Sequence, residues 1–377
     1  MNKTAENRYV PDYAVHPGEI LEEYLTSLGM TQTELSHRTG IALKHINEII
    51  KTKAPVTPDT ALKLERVFGR PAHFWNNLER LYEEVTARLA DRERLVSDLE
   101  WLKRVPVKKM IEYGWIRAFQ DMRDQLSEVL RFFGIASREQ WATVWKQHQA
   151  AAAYRQSQKV ATHAEAISAW LRQGEIEAQE IQCPHYDRSR FKKSLEEARQ
   201  LTVEPPVVFQ QKLIELCAQT GVAVVFVPEL PKTGISGATR WLTSQKALIQ
   251  LSLRYKSDDA LWFTFFHEAG HVLLHGKRDV FLEGANGMDE KKEDQANRYA
   301  ADALIPSQQW RKFVGVRPFS LEGVRNFASE LGIAPGIVVG RMQHEKFVEF
   351  SWGNDLKQRF QWKLPNQEEE KVARGQV

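Results

Sequence analysis

The chain of 377 residues contains only two cysteines. Cys183 and Cys217 cannot build a disulfide framework, which points to a reducing compartment. No apolar run approaches the roughly 20 residues that a bilayer crossing needs, and the opening Met1-Asn2-Lys3-Thr4 shows no secretory pattern. The expectation is a cytoplasmic protein without a membrane partner. Charge of one sign is also scarce: the formal net charge is +3 and the pI about 8.7. Any nucleic-acid footprint must therefore be a local patch. No internal repeat is evident, and the length suits about two or three domains with an ample core.

What is present is a pattern with chemistry in it. His267-Glu268-Ala269-Gly270-His271 lies inside an apolar stretch, with Leu261 to Phe266 before it and Val272-Leu273-Leu274 after it. Among 11 histidines, chance would place His-Glu-x-x-His somewhere only on the order of a few per cent of the time. On a helix, residues four apart share a face, so both imidazoles can reach one metal ion. Glu268 is turned roughly 100° from His267, where it can serve as general base. Ser257-Asp258-Asp259 supplies a cap and two first-turn acids. Gly276 with Lys277 and Arg278 supplies a stop with cations at the negative end.

A catalytic zinc site takes three protein ligands and keeps one position open. The best third candidate is Glu293, which shares a helical face with Ala296, Asn297, Ala300 and Leu304; small residues there permit a close helix crossing. Glu283, Asp289 and Glu290 fall in or beside a Gly-rich loop, and Asp294 points off that face. Asn297 can hydrogen-bond a ligand imidazole from outside the metal sphere. His275 is again four residues on, but one straight helix can hardly aim three side chains at a tetrahedral ion, so it is read as a packing or helix-end histidine.

Around the motif stand Val222 to Pro228, Gly234 to Trp241, Ile249 to Tyr255, Glu293-x-x-Ala296-Asn297 followed by Leu304-Ile305-Pro306, and Phe327-Ala328 with Gly332 to Arg341. The stretch from about Val222 to Gln343 resembles zinc metallopeptidases of the ImmA/IrrE type, gluzincin-like in ligand plan. The resemblance implies zinc on His267, His271 and Glu293 with Glu268 as general base. It also implies an α+β domain with a small mixed sheet. The segment from Ala247 to Tyr255 is expected to be an edge strand able to hold an extended peptide. Arg240, Arg254 and Tyr255 are weighed as oxyanion donors against roles as structural ion pairs or core groups.

The N-terminal end has another character. Ile20, Leu21, Tyr24, Leu25 and Leu28 make one apolar face that ends at Gly29. Thr31-Gln32-Thr33-Glu34 reads as a capping box for a helix running to Gly40. A third helix runs from about Ala42 to Lys51, a fourth from Thr57-Pro58 to Gly69, and Phe74, Trp75, Leu78, Leu81 and Tyr82 line a fifth. Five short helices fit a helix-turn-helix domain, with Lys44 and Asn47 toward base edges and Gln32, Lys51 and Lys53 toward phosphates. His16 to Leu21, Thr31 to Leu35, Ile46 to Ile50, Asp59 to Leu62 and Phe74-Trp75 resemble the HigA class of antitoxin and repressor domains. Two departures are Ala42, where a capping Ser or Thr is common, and Glu48 on the recognition helix. The resemblance implies operator DNA, a homodimer and a RelE/HigB-like toxin as partners.

Between these parts the sequence is helical, charged and rich in Trp, Ala and Gln. Leu126, Val129, Leu130 and Phe133 form an apolar face, and Trp141, Trp145 and Trp170 read as core. Breaks near Cys183-Pro184 and at Val203-Glu204-Pro205-Pro206 mark boundaries. Cys183 and His185 are read as an incidental pair. The whole is a multidomain, mainly α protein: a five-helix DNA-binding bundle over 1–92, a helical partner-binding region over 93–200, the zinc peptidase domain over 201–345 and a tail over 346–377. The reading is a transcriptional regulator whose zinc-dependent endopeptidase domain hydrolyses a protein partner. The alternatives are a DNA-binding antitoxin with a structural or inactive metal site, and a peptidase that its N-terminal bundle merely dimerises.

Overall fold

The structure, a computed structural model, describes residues 13–153, 164–276, 281–282 and 290–363. Lys277, Arg278, Glu283, Asp289 and the acidic run at 368–371 lie outside the described residues. The chain divides after Leu99 into two compact units. No helix among the described residues is long and apolar enough to cross a membrane.

The first unit holds α1 (Pro17–Ser27), α2 (Gln32–Thr39), α3 (Leu43–Ile50), α4 (Pro58–Phe68) and α5 (Ala72–Arg94). Local chemistry sets most of these ends. Thr31 and Thr57 accept from the N–H groups of Glu34 and Thr60, and Gly40 and Gly69 close α2 and α4 in the left-handed region that glycine tolerates. A capping box is found at His16: Gly18 N–H donates to His16 Nδ1, and His16 N–H donates to Glu19 Oε1. Leu21, Leu25, Leu35, Ile46, Ile49, Leu64 and Trp75 form the core. Leu28 and Leu81 stay exposed although their spacing places them on apolar faces. Glu79, buried, accepts from the Val56 N–H at 2.7 Å and satisfies the turn before α4.

The second unit contains α6 (Leu99–Leu102), which begins at the division, then α7 (Val107–Glu112), α8 (Met122–Phe133), α9 (Arg138–Ala153), α10 (Ala164–Glu180), α11 (Arg188–Gln200) and α12 (Pro206–Ala218). Next come β1 (Val222–Phe226), β2 (Gly237–Thr243), β3 (Lys246–Leu251), α13 (Asp258–Leu274), β4 (Phe281–Leu282) and α14 (Glu290–Leu304). The last helices are α15 (Ser307–Val314), α16 (Leu321–Leu331) and α17 (Pro335–His344). Trp141, Trp145 and Trp170 are buried, as their setting suggests.

The sheet is mixed, in the order β1-β3-β2-β4. β3 runs parallel to β1 and antiparallel to β2, so the segment expected at an edge is interior. The physical reason is visible in its side chains: Ala247 through Leu251 are all buried, the pattern of a strand covered on both faces. Side chains alternate across it. Arg240 and Gln250 face α10, where Arg240 donates to Leu171 O and Gln250 Nε2 donates to Trp170 O at 2.6 Å. Thr239 faces α13 and its Oγ1 donates to Glu268 O. The sheet is therefore a middle layer between α10 and α13. Gly174 permits the first contact, since a Cβ there would lie 2.0 Å from Gln250 Oε1.

Candidate metal centre

α13 carries the His-Glu-x-x-His segment in its C-terminal half, and both histidines and Glu268 are buried. α14 crosses α13 closely because Gly270 has no side chain: a Cβ there would come within 3.2 Å of Ala296 Cα and of Tyr299 Cδ1. That crossing delivers Glu293. Its Oε2 lies 3.3 Å from His267 Nε2 and its Oε1 3.6 Å from His271 Nε2. The two Nε2 atoms are 2.9 Å apart, and one ligand atom from each of the three residues falls within 4.8 Å of the others. Among the described residues this is the one cluster of three or more His, Cys, Asp or Glu side chains with metal-holding spacing.

The outer contacts decide what these atoms present. His267 Nδ1 lies 2.9 Å from Asn297 Oδ1. An amide oxygen only accepts, so Nδ1 carries the proton and Nε2 a lone pair. Asn297 thus stands where its position one turn beyond Glu293 placed it. His271 Nδ1 meets His275 Nδ1 at 2.9 Å, and His275 Nε2 meets Gln295 Oε1 at 3.1 Å. Lone pairs and a carboxylate converge on one point, which suits a divalent cation with nitrogen and oxygen preference such as zinc.

Glu268 sits between α13 and β2. Gly237 makes the room, because a Cβ there would approach Glu268 Oε1 to 2.8 Å and Thr264 Cγ2 to 2.6 Å. This glycine bears on function through contact rather than conformation, and no local pattern marks it as such. The rivals to Glu293 are elsewhere: Glu290 and Asp294 are exposed, and Asp294 pairs with Arg298. Arg240 is buried and pairs with Glu175, while Arg254 donates to Gly234 O and stacks over Tyr255. Cys183 and His185 join no such cluster.

In the first unit Asn47 Nδ2 donates to Gln32 Oε1 at 3.2 Å, joining α2 to α3. Lys44 is exposed on α3, three residues before Asn47 and thus on the same side of the helix, with Glu48 3.8 Å from its Nζ. Lys51 and Lys53 are exposed on the turn that follows. α3 opens at Ala42 without a side-chain cap.

Residues 21–75 match the family described as Helix-turn-helix, and residues 217–341 match the family described as IrrE N-terminal-like domain. The HTH-type transcriptional regulator YddM of Escherichia coli (strain K12) is 32% identical over 89 residues, which span 24% of this chain and 88% of YddM. The chain belongs to the helix-turn-helix family and carries an IrrE-like domain. Virulence-associated protein I of Dichelobacter nodosus is 42% identical to the helix-turn-helix end over 71 residues, 19% of this chain and 66% of that relative. A solved structure of Pseudomonas aeruginosa antitoxin HigA with the higBA promoter shares 30% identity, covering 22% of this chain and 91% of that one, with a TM-score of 0.21. The IrrE-like domain holds the whole His267, His271 and Glu293 cluster.

Proposed function

We propose that the protein is a DNA-binding regulator whose IrrE-like domain is a zinc endopeptidase. One observation carries the enzymatic half: two imidazoles, that of His267 with its proton turned outward to Asn297, and one carboxylate converge beside a buried Glu268. His267, His271 and Glu293 would hold the ion, which supplies polarisation of a peptide carbonyl and acidification of water. Glu268 takes a proton onto its carboxylate and gives it to the departing amine. Its burial keeps that carboxylate out of bulk solvent, and the missing side chain of Gly237 leaves it room against β2.

Separate variants test these roles. His267→Ala, His271→Ala and Glu293→Ala are each expected to lose zinc, whereas Glu268→Gln retains it and loses proteolysis by about 10²–10⁴-fold. Metal content of the purified proteins and cleavage of the products of neighbouring genes are the measurements. Stoichiometric zinc in the Glu293→Ala protein would remove that residue from the ligand set.

The DNA half rests on the helix-turn-helix match and on the exposed lysines around α3. Lys44 and Asn47 would read base edges, with Gln32, Lys51 and Lys53 against phosphates of operator DNA. Replacing both Lys44 and Asn47 with Ala should weaken operator binding roughly tenfold or more, at about 1–3 kcal/mol per lost base contact. Fluorescence anisotropy on the promoter of the gene itself measures it. Equal affinities would remove α3 from the groove.

A further inference from the structure

Beside the two histidines of the metal cluster stands a third that is neither ligand nor simple helix end. α13 stops at Leu274, and His275 turns to an extended backbone at φ −114° and ψ 167° while its N–H still donates to His271 O. In a continuing helix, residue 275 would stand directly above residue 271. The turn instead lays its ring beside that of His271, centroids 4.9 Å apart, with the two Nδ1 atoms at 2.9 Å.

The far side of His275 identifies the donor at each step. Its Nε2 lies 3.1 Å from Gln295 Oε1, an atom that can only accept. The proton therefore sits on His275 Nε2, and Nδ1 presents a lone pair. His271 must donate to that lone pair from its own Nδ1, which leaves its Nε2 bare toward His267 and Glu293. The second imidazole thus has a two-residue chain doing what Asn297 does for the first. Asn297 and Gln295, the outer end of each device, both lie on α14, the helix that also brings Glu293.

We propose that His275 and Gln295 form a positioning relay that fixes the tautomer and ring angle of His271 and so sets the affinity and geometry of the metal centre. The inference rests on the zinc reading above. It assigns His275 no bond to metal and no contact with substrate. Outer partners of ligand histidines of this kind are worth roughly 10–100-fold in metal affinity.

The test uses the full chain, with zinc affinity read by chelator competition and ligand geometry by the visible bands of the cobalt(II)-substituted protein. His275→Ala is expected to bind zinc roughly 10–100-fold more weakly and to shift the cobalt bands without abolishing them. His275→Asn places an amide oxygen near the site of Nδ1 and should restore most of the affinity. Gln295→Leu, at an exposed position, should lower affinity by a smaller factor, and it carries the test alone if His275→Ala fails to fold. Wild-type affinity and spectrum in both His275→Ala and Gln295→Leu would overturn the relay and leave the metal site standing. Complete metal loss in His275→Ala, matching His271→Ala and not rescued by Asn, would make His275 a ligand and overturn it too. Absence of zinc binding by the wild-type chain would remove the metal reading itself, and the relay with it.

Discussion

Asp258, the first residue of α13, is buried, and its carboxyl is pushed up to about 7, chiefly by that burial. Gly336 of α17 lets it in: a Cβ there would lie 2.5 Å from both carboxyl oxygens. The ordinary value is 3.8, so between these limits the folded protein holds a proton that the unfolded chain has released. Stability from this group is accordingly highest at low pH, falls as pH rises through the window from about 4 to 7, and stays reduced above it. Asp258→Asn should flatten that slope and stabilise the protein at about pH 8 by on the order of a few kcal/mol. Denaturant midpoints across the window check this, and parallel profiles for the two proteins would contradict it. From the sequence Asp258 reads as one of two first-turn acids, and nothing local announces that α17 and the segment at Gln358, whose carbonyl accepts the Asp258 N–H, will cover the helix start. The same limit applies to Leu28 and Leu81, whose spacing matches their buried neighbours but whose own side chains stay exposed.

Elements were most legible where their ends are decided within a few residues. Thr31, Gly40, Thr57 and Gly69 mark α2 and α4 by side-chain capping and left-handed backbone, effects that need no tertiary information. α13 was legible for a different reason, since four-residue spacing and an apolar setting fix both ring faces. The position of β3 was not, because strand order follows from covering both faces of the sheet, and half of that cover is α10, which lies before β1 in sequence. His275 illustrates the boundary: its spacing marks it as a neighbour of His271, but its function depends on the helix ending one residue earlier. The α13–α14 crossing is the element on which the site depends. Gly270→Val should force the helices apart at Ala296 and Tyr299, cost about 1–3 kcal/mol as an overpacked contact, and weaken zinc binding because Glu293 moves away from the imidazoles. Thermal melts and chelator competition report the two effects separately; unchanged zinc affinity would show that α14 can carry Glu293 from further off.

For the whole molecule, the division after Leu99 and the three-layer arrangement of the second unit suggest where the chain can be cut. A fragment over 100–377 should fold and hold zinc, because it keeps α10, α11 and α12 with the sheet. A fragment over 201–345 begins at the Pro-rich break, which looks natural in sequence, but it discards the layer that accepts from Arg240 and Gln250. Two buried polar side chains then lose their partners, at about 1–3 kcal/mol or more each, and an apolar sheet face meets water. That shorter fragment should be aggregated or unable to retain zinc. Circular dichroism and metal content after gel filtration distinguish the two, and a monomeric, zinc-loaded 201–345 fragment would show that α10 is dispensable.

The bonds between α10 and the sheet have a kinetic side as well. The carbonyls of Trp170 and Leu171 hold Gln250 and Arg240 from above while α13 closes the sheet from below. The amides of β3, paired to β1 and β2 beneath these helices, are therefore expected to exchange with deuterium only through a large opening of the domain. A helix with no part in the chemistry should then slow the exchange at the centre of the domain, and replacing Gln250 with Leu should speed it.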